Sequence, residues 1–279
     1  MQEKSPVIYP ELFYSKRKIS ATLQFSSGTA EKIALYLPII ISMRETEGNR
    51  IDMYSPEVGP MFDSIAGNYD FLNHFLSFGI DRLWRRRAIK TMRGRYSDPL
   101  ILDVATGTAD LALSALRLKP RKITGIDISE NMLALGRKKV EDKGVSSVIE
   151  LFRCESEKIT LDDGIFDIAM VAFGVRNFRD PLKGLKEMNR VLKPGGSVLI
   201  LEFSKPSWFP FKQLYYLYFL HVLPFIGRLF SGSNNAYRYL PESVLGFPDN
   251  EKFIKILSSA GFGQVSQIRL TGGVASIYT

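Results

Sequence analysis

The chain has 279 residues, 45% of them hydrophobic and 24% charged, ordinary globular values that exclude global disorder and allow one large α/β domain or a domain with appendages. Its 37 basic against 29 acidic residues give a net charge of +8, which favours an anionic partner (nucleic acid, a membrane surface or a phosphorylated substrate) without choosing among them. The single cysteine, Cys154, excludes an intramolecular disulfide, no Cys/His spacing suits zinc, and a reducing cytoplasm is the expected compartment.

Residues 1–50 carry few periodic signals and end in the polar run Arg44-Glu-Thr-Glu-Gly-Asn-Arg50, so they read as an N-terminal extension. They lack the order of a signal peptide and hold too many Glu for a transit peptide. The longest apolar stretches, 33–43 and 214–223, fall far short of the ~20 residues a membrane span needs. Ser55-Pro56 predicts a helix start, with a capping hydroxyl and a proline whose missing N–H costs nothing there. Asp81 opens a second helix, 82–93, with Trp84, Ala88 and Met92 on one side and Arg82, Arg86, Lys90 and Arg93 opposite.

An alternation follows. Strands are predicted at 100–104, 123–128, 148–152, 166–173 and 197–203. Helices lie between them: about 109–118, one capped by Ser129 that ends near Gly144, and one from Asp180-Pro181 to Lys193-Pro-Gly-Gly196. Strands alternating with helices imply right-handed crossovers and a parallel sheet covered on both faces. Residues 206–240 read as an inserted, aromatic-rich helical cap. A helix at about 249–260 and two strands, 263–270 and 274–279, joined at Gly272-Gly273, add an antiparallel edge hairpin.

The first strand runs into Asp103-Val-Ala-Thr-Gly-Thr-Ala-Asp110. An acid at a strand end followed by a small-residue turn into a helix opens the nucleotide site of doubly wound folds. Gly107 lets backbone approach a ligand, and Asp127, 20 residues later at the end of the second strand, suits the two hydroxyls of a ribose. A pyrophosphate loop wants glycine where this chain has Ala109 and Ala112. S-adenosylmethionine has no phosphate, tolerates the looser turn and welcomes an acid such as Asp103; the plain alternative is that Gly107 marks only a tight turn. After the third strand, Glu155 is placed to reach an adenine amino group and Ser156 to offer a backbone N–H, although a solvated loop acid is the ordinary reading of Glu155 alone.

Several blocks then resemble one family. They are Tyr69-Asp-Phe-Leu-Asn-His-Phe-Leu-Ser77 with Phe-Gly-Ile-Asp-Arg-Leu-Trp84 after it, Phe173-Gly-Val-Arg-Asn177, Arg190-Val-Leu-Lys-Pro-Gly-Gly-Ser-Val-Leu-Ile-Leu-Glu-Phe-Ser204, and Tyr237-Arg-Tyr-Leu240 with Glu242-Ser243. Together they are similar to the ubiquinone/menaquinone biosynthesis C-methyltransferase (UbiE) family, over about 55–279. The resemblance implies a class I, Rossmann-like methyltransferase domain over 51–279 with a mostly parallel seven-stranded sheet, the antiparallel C-terminal hairpin and the cap. It implies S-adenosylmethionine as cofactor, a polyprenylated hydroquinone as substrate, and cofactor contacts at Thr108, Asp127, Glu155 and Ser156. The chain departs from many members at Thr106 and Ala109, where they have glycines, at Asp81, where some have His, and at Ala172, where some have a cofactor-binding Ser.

Methylating a ring carbon needs in-line attack and electron density, so a hydroquinol with a phenol-like pKa near ~10 needs help to ionise. Arg176, in the loop after the fourth strand, can orient and stabilise the forming phenolate, and Tyr69 can hydrogen-bond the same edge; a loop-pinning salt bridge is the plain alternative for Arg176. Asp70, His74 and His221 are further candidates, and sequence does not name the base. Trp208-Phe-Pro-Phe211 and 214–220 suit an isoprenoid, a flat ring or the bilayer interface.

The block 77–81 is most like menaquinone-pathway members, so demethylmenaquinol is the expected substrate, with a methoxy-polyprenyl-benzoquinol as alternative. A nucleic-acid methyltransferase is disfavoured because the aromatic cap has few basic residues. The alanines in the turn disfavour a dehydrogenase, and a non-catalytic scaffold does not explain Arg176 beside an intact cofactor layout. Much of the +8 is local: Arg82, Arg85, Arg86, Arg87, Lys90, Arg93 and Arg95 lie within 14 residues without an acid. With a lipid-soluble substrate, the expected partner of that face is an anionic membrane at its cytoplasmic side, and a solvated helix face is the plain alternative.

Overall fold

The structure, a computed structural model, describes residues 59–60, 62–63, 66, 77, 79–218 and 234–279, all within one unit spanning Thr46–Thr279. The extension at 1–50, the helix start at Ser55-Pro56, and Tyr69, Asp70, His74 and His221 lie outside the described residues.

Seven strands form one sheet: β1 Leu100–Val104, β2 Lys122–Asp127, β3 Ile149–Arg153, β4 Phe166–Ala172, β5 Leu192–Phe203, β6 Gln267–Leu270 and β7 Ala275–Tyr278. Their order is β3-β2-β1-β4-β5-β7-β6. The first five are mutually parallel, and β7 runs antiparallel to both β5 and β6. The chain reverses direction across the sheet between β1 and β4, so the crevice beyond their carboxyl ends is where such folds bind ligands.

The described helices are α1 Ile80–Met92, α2 Asp110–Ala115, α3 Glu130–Asp142, α4 Pro181–Arg190, α5 Phe211–Leu217, α6 Asn234–Gly246 and α7 Glu251–Ser259. Two apolar layers result, one on each sheet face. Phe166, Leu185, Phe253 and Tyr278 belong to one, and Ile89, Leu133, Ile168 and Ile277 to the other. Burial on both faces is why the parallel strands read as unbroken apolar runs.

Some boundaries move for local reasons. α1 begins before Asp81, at a left-handed Gly79, because the Asp81 carboxylate is not a cap: it accepts from Ser77 Oγ at 2.7 Å and pairs with Arg85. α3 and α4 are capped as expected, by Ser129 accepting from Met132 N and Asp180 accepting from Lys183 N. β5 starts at Leu192, because Leu192 pairs with Phe166 before a register shift at the Pro-Gly-Gly stretch. The final hairpin turns through a 3-10 turn at Thr271–Gly273, all three residues at positive φ, and not through a two-residue Gly-Gly loop.

Candidate active site

Asp103, the penultimate residue of β1, is buried to 1% exposure. One carboxylate oxygen accepts the Thr106 hydroxyl at 2.7 Å, and the other, Oδ1, is buried without a hydrogen-bond partner. Burial pushes its pKa up to about 7 against the opposing hydrogen bonds from the Thr106 hydroxyl and the Ala112 amide, with the charge of Asp127 adding to the rise. The loop then passes through left-handed conformations at Ala105, Gly107 and Ala109. Two of these are not glycine, and such strain persists where surrounding contacts fix the loop, most often at ligand sites.

Those contacts are visible. Asp127 accepts Gly107 N–H at 2.8 Å on one oxygen and Ser129 N–H at 2.9 Å on the other. Each oxygen keeps a lone pair for a further donor. Burial raises the pKa of Asp127, while the amides of Ser129 and Gly107 oppose that rise. The 20-residue spacing read from sequence therefore places glycine and acid in direct contact. On the β4 side, a Cβ on Gly174 would stand 2.7 Å from that of Ala105, so glycine is needed where the two loops meet.

The remaining expected contacts divide. Thr108 is buried in the loop, and its hydroxyl accepts from Lys139 Nζ of α3 at 2.9 Å. Lys139 also donates to Asp110 at 2.9 Å, tying the loop to α3. Glu155 and Ser156 follow β3 beside Asp127, whose carbonyl accepts Cys154 N–H at 3.0 Å. Glu155 is exposed, and Ser156 Oγ donates to Glu157 at 2.9 Å.

Arg176 is buried at 6% exposure. Its Nη1 donates to Glu202 Oε1 at 2.9 Å and to the Phe173 carbonyl, and its guanidinium lies 5.3 Å from the Phe203 ring centroid. Nε is buried without a partner. The geometry thus contains the loop-pinning ion pair, and leaves one donor of the same fork unused. Glu202, at 0% exposure, was not singled out from sequence. An acid inside the apolar run Leu199-Ile-Leu-Glu-Phe203 was the signal. Tyr239 of α6 donates to Asn177 at 2.9 Å and joins the cap to this loop; burial raises its phenol pKa.

Arg85 is the chief correction. The basic run predicts it on the exposed face of α1, but it is buried at 8% exposure. It pairs with Asp81 one turn earlier, stands 3.8 Å from Asp110, and lies 5.5 Å from the Phe173 ring centroid. Arg82, Arg86, Arg87, Lys90, Arg93 and Arg95 are exposed as expected. Trp84, Phe173 and Phe203 form an aromatic cluster between the two buried guanidiniums, with Phe173 and Phe203 centroids 4.6 Å apart.

Sheet order, loop and strand-end acids define a class I, S-adenosylmethionine-dependent methyltransferase. Solved structures with this fold include a methyltransferase from Thermotoga maritima described as a possible histamine N-methyltransferase, at TM-score 0.55 and 19% identity over 79% of this chain and 97% of that one. A second, from Methanococcus maripaludis, reaches TM-score 0.55 at 16% identity, covering 77% and 91%. The chain belongs to the ubiE/COQ5 methyltransferase family, whose model matches residues 50–279. It is 46% identical over 226 residues to a demethylmenaquinone methyltransferase of Bacteroides fragilis, covering 81% of this chain and 92% of that one. A ubiquinone/menaquinone biosynthesis C-methyltransferase of Geotalea uraniireducens is 48% identical over 225 residues, covering 80% and 94%. The demethylmenaquinone methyltransferase of Chlorobaculum tepidum is 44% identical, covering 85% and 97%.

The residues present fit the cofactor. The orphaned Asp103 Oδ1 suits an ammonium, and the two oxygens of Asp127 keep acceptor capacity for vicinal hydroxyls. Among the described residues no cluster of His, Cys, Asp and Glu could hold a metal ion, and no helix is long and apolar enough to cross a membrane.

Proposed function

We propose that the protein methylates a ring carbon of demethylmenaquinol, giving menaquinol, at the surface of an anionic membrane. The observation that carries the substrate is the likeness to relatives named demethylmenaquinone methyltransferase, matched over 92% and 97% of their own lengths. The relative named for both ubiquinone and menaquinone biosynthesis keeps a methoxy-polyprenyl-benzoquinol as the second reading.

S-adenosylmethionine supplies an electrophilic methyl on a sulfonium. Asp127 accepts the ribose hydroxyls, Asp103 accepts the ammonium of the amino-acid end, the Thr108 and Gly107 backbone lines that end, and Glu155 with Ser156 meets the adenine. The quinol would lie by Phe173 and Phe203, where Arg176 Nε–H would be the donor for its ionising oxygen; Tyr69, outside the described residues, is the second hydrogen-bond donor expected from sequence. The guanidinium would stabilise the phenolate as it forms, and the bound cofactor would supply a methyl positioned for in-line transfer to the ring carbon, the displaced ring hydrogen being lost as a proton. Residues 51–279 are the catalytic domain and 1–50 an extension to it.

The exposed face of α1 carries Arg82, Arg86, Arg87 and Lys90 with Leu83 at 59% exposure among them. Trp84 Nε1 donates to Thr271 at 2.8 Å, and the neighbouring Gly272 abuts Phe211 and Trp208. This ties the buried face of α1, through Trp84, to the segment that bears Trp208 and Phe209, exposed at 54% and 73%. A cluster of exposed cations suits an anionic headgroup layer, at about 1 kcal/mol per basic residue, and exposed aromatics suit its interface. The test is methyl-label transfer from S-adenosylmethionine to each quinol in vesicles of anionic or zwitterionic lipid. Label is expected in demethylmenaquinol, fastest in anionic vesicles and slowed by salt. Label only in the methoxy quinol selects the second reading; label in neither overturns both, and equal rates in both lipids overturn the membrane assignment.

A pH dependence follows from Asp103. With its pKa pushed up to about 7 in the free protein, an ammonium ligand must first displace a proton. Cofactor affinity is expected to rise by up to about tenfold per pH unit below pH 7, with proton release visible when calorimetry is repeated in buffers of different ionisation enthalpy. The unfolded-state value is near ~3.9, so the free fold binds the extra proton and loses this group's stabilisation as pH rises from about 4 to 7. Asp103→Asn should flatten both profiles; a profile that persists in the variant assigns them elsewhere.

A further inference from the structure

The amino-acid end of S-adenosylmethionine carries two opposite charges, and Asp103 suits only its ammonium. A carboxylate removed from water needs a cation, preferably a guanidinium that offers two parallel N–H donors. Three described cations lie near the loop and its crevice. Lys139 is engaged by Thr108 and Asp110, each at 2.9 Å, and Arg176 is held by Glu202 beyond β4. The third is Arg85.

Its surroundings are those of a reading residue. Nη1 is anchored by Asp81, and Asp110 stands 3.8 Å away. Among the described residues the hydrogen bond the guanidinium makes is from Nη1 to Asp81, which leaves the Nε and Nη2 edge of the fork for a ligand. The guanidinium lies over the Phe173 ring, at the carboxyl end of β4, and its charge reaches Asp103, where it favours the ionised form. An anchored cation 3.8 Å from Asp110, where the loop that starts at Asp103 enters α2, gives the crevice a positive group to complement Asp103, as a zwitterion requires.

We propose that Arg85 binds the α-carboxylate of S-adenosylmethionine, opposite the Asp103 that takes its ammonium. The anchoring acids fit this role: Asp81 fixes the guanidinium in one rotamer before the ligand arrives, so little ordering is left to oppose binding.

The proposal rests on the cofactor reading above, and the test separates the two. Calorimetry on the full chain compares S-adenosylmethionine, S-adenosylhomocysteine and decarboxylated S-adenosylmethionine, with wild type, Arg85→Gln and Arg85→Lys. Wild type is expected to bind the decarboxylated analogue at least 30-fold more weakly than S-adenosylmethionine, a factor of about 30 being what one charge-assisted contact supplies. Arg85→Gln is expected to lose a similar factor for S-adenosylmethionine and S-adenosylhomocysteine, yet to bind the decarboxylated analogue within twofold of wild type. Arg85→Lys should recover part of the loss. Equal weakening toward all three ligands makes Arg85 a structural residue and overturns the proposal. So does a wild type that binds S-adenosylmethionine and its decarboxylated analogue alike, a result that needs no variant to fold. A wild type that binds none of the three overturns the cofactor reading itself.

Discussion

Replacing Asp127 by alanine is expected to lower the affinity for S-adenosylmethionine by about 100-fold, the largest single loss at the cofactor site. Two hydrogen bonds from ribose hydroxyls to a carboxylate contribute roughly 1.5 kcal/mol each at the low end, and every 1.4 kcal/mol is tenfold in Kd. The substitution also strips acceptors from the N–H groups of Gly107 and Ser129, which now bond to it at 2.8 and 2.9 Å. The loop would lose the contact that holds its left-handed turn at Gly107. Asp127→Asn keeps the shape but must present an NH2 group to one of those two donors, so it should recover little. Calorimetry measures the affinity, and a thermal melt without ligand measures how much of the effect is loop damage. A variant that melts normally and binds within threefold of wild type would remove Asp127 from the ribose site.

The contrast between Asp127 and Arg85 shows how far sequence alone reaches. Asp127 was legible because it obeys a chain-local rule: strand, glycine turn, helix, strand, acid, with the spacing fixed by one crossover. The sheet was legible for the same reason, since strands buried on both faces leave continuous apolar runs. Arg85 obeys no such rule. A helical wheel places it at the edge of the Trp84, Ala88 and Met92 stripe, where it reads as one more cation in a basic run. Its burial depends on Asp110, brought close only by folding, and on Asp81 at i−4. The i,i+4 acid–base spacing of Asp81 and Arg85 was the one available sign, and on an exposed helix it has a weak meaning. Glu202 was hidden by similar nonlocality. It ends β5, its partner follows β4, and only the parallel pairing of those strands brings the charges together.

Separating the Arg176–Glu202 pair is expected to cost more stability than any surface change, and to split stability from turnover. Both side chains are buried, at 5% and 0% exposure, and Glu202 also accepts N–H groups from Phe203 at 2.9 Å and Arg176 at 3.4 Å. Glu202→Ala leaves a guanidinium buried without its counter-ion, a change that costs about 3–5 kcal/mol. For a unit of this size each kcal/mol moves Tm by about 2–4 °C, so a drop of roughly 10 °C is expected. Arg176→Ala should destabilise comparably by stranding Glu202. The double variant Arg176→Met with Glu202→Leu removes both charges and fills most of the volume, so much of the lost Tm should return. Turnover should not return with it if Arg176 is the donor proposed for the quinol oxygen; a loss of at least 100-fold in kcat with cofactor affinity unchanged is then expected. Arg176→Lys is the finer probe, since it keeps the charge and loses the fork. If the double variant regains wild-type kcat along with its Tm, the pair serves only to hold the loop after β4, and the phenolate must find its stabilising charge in another residue.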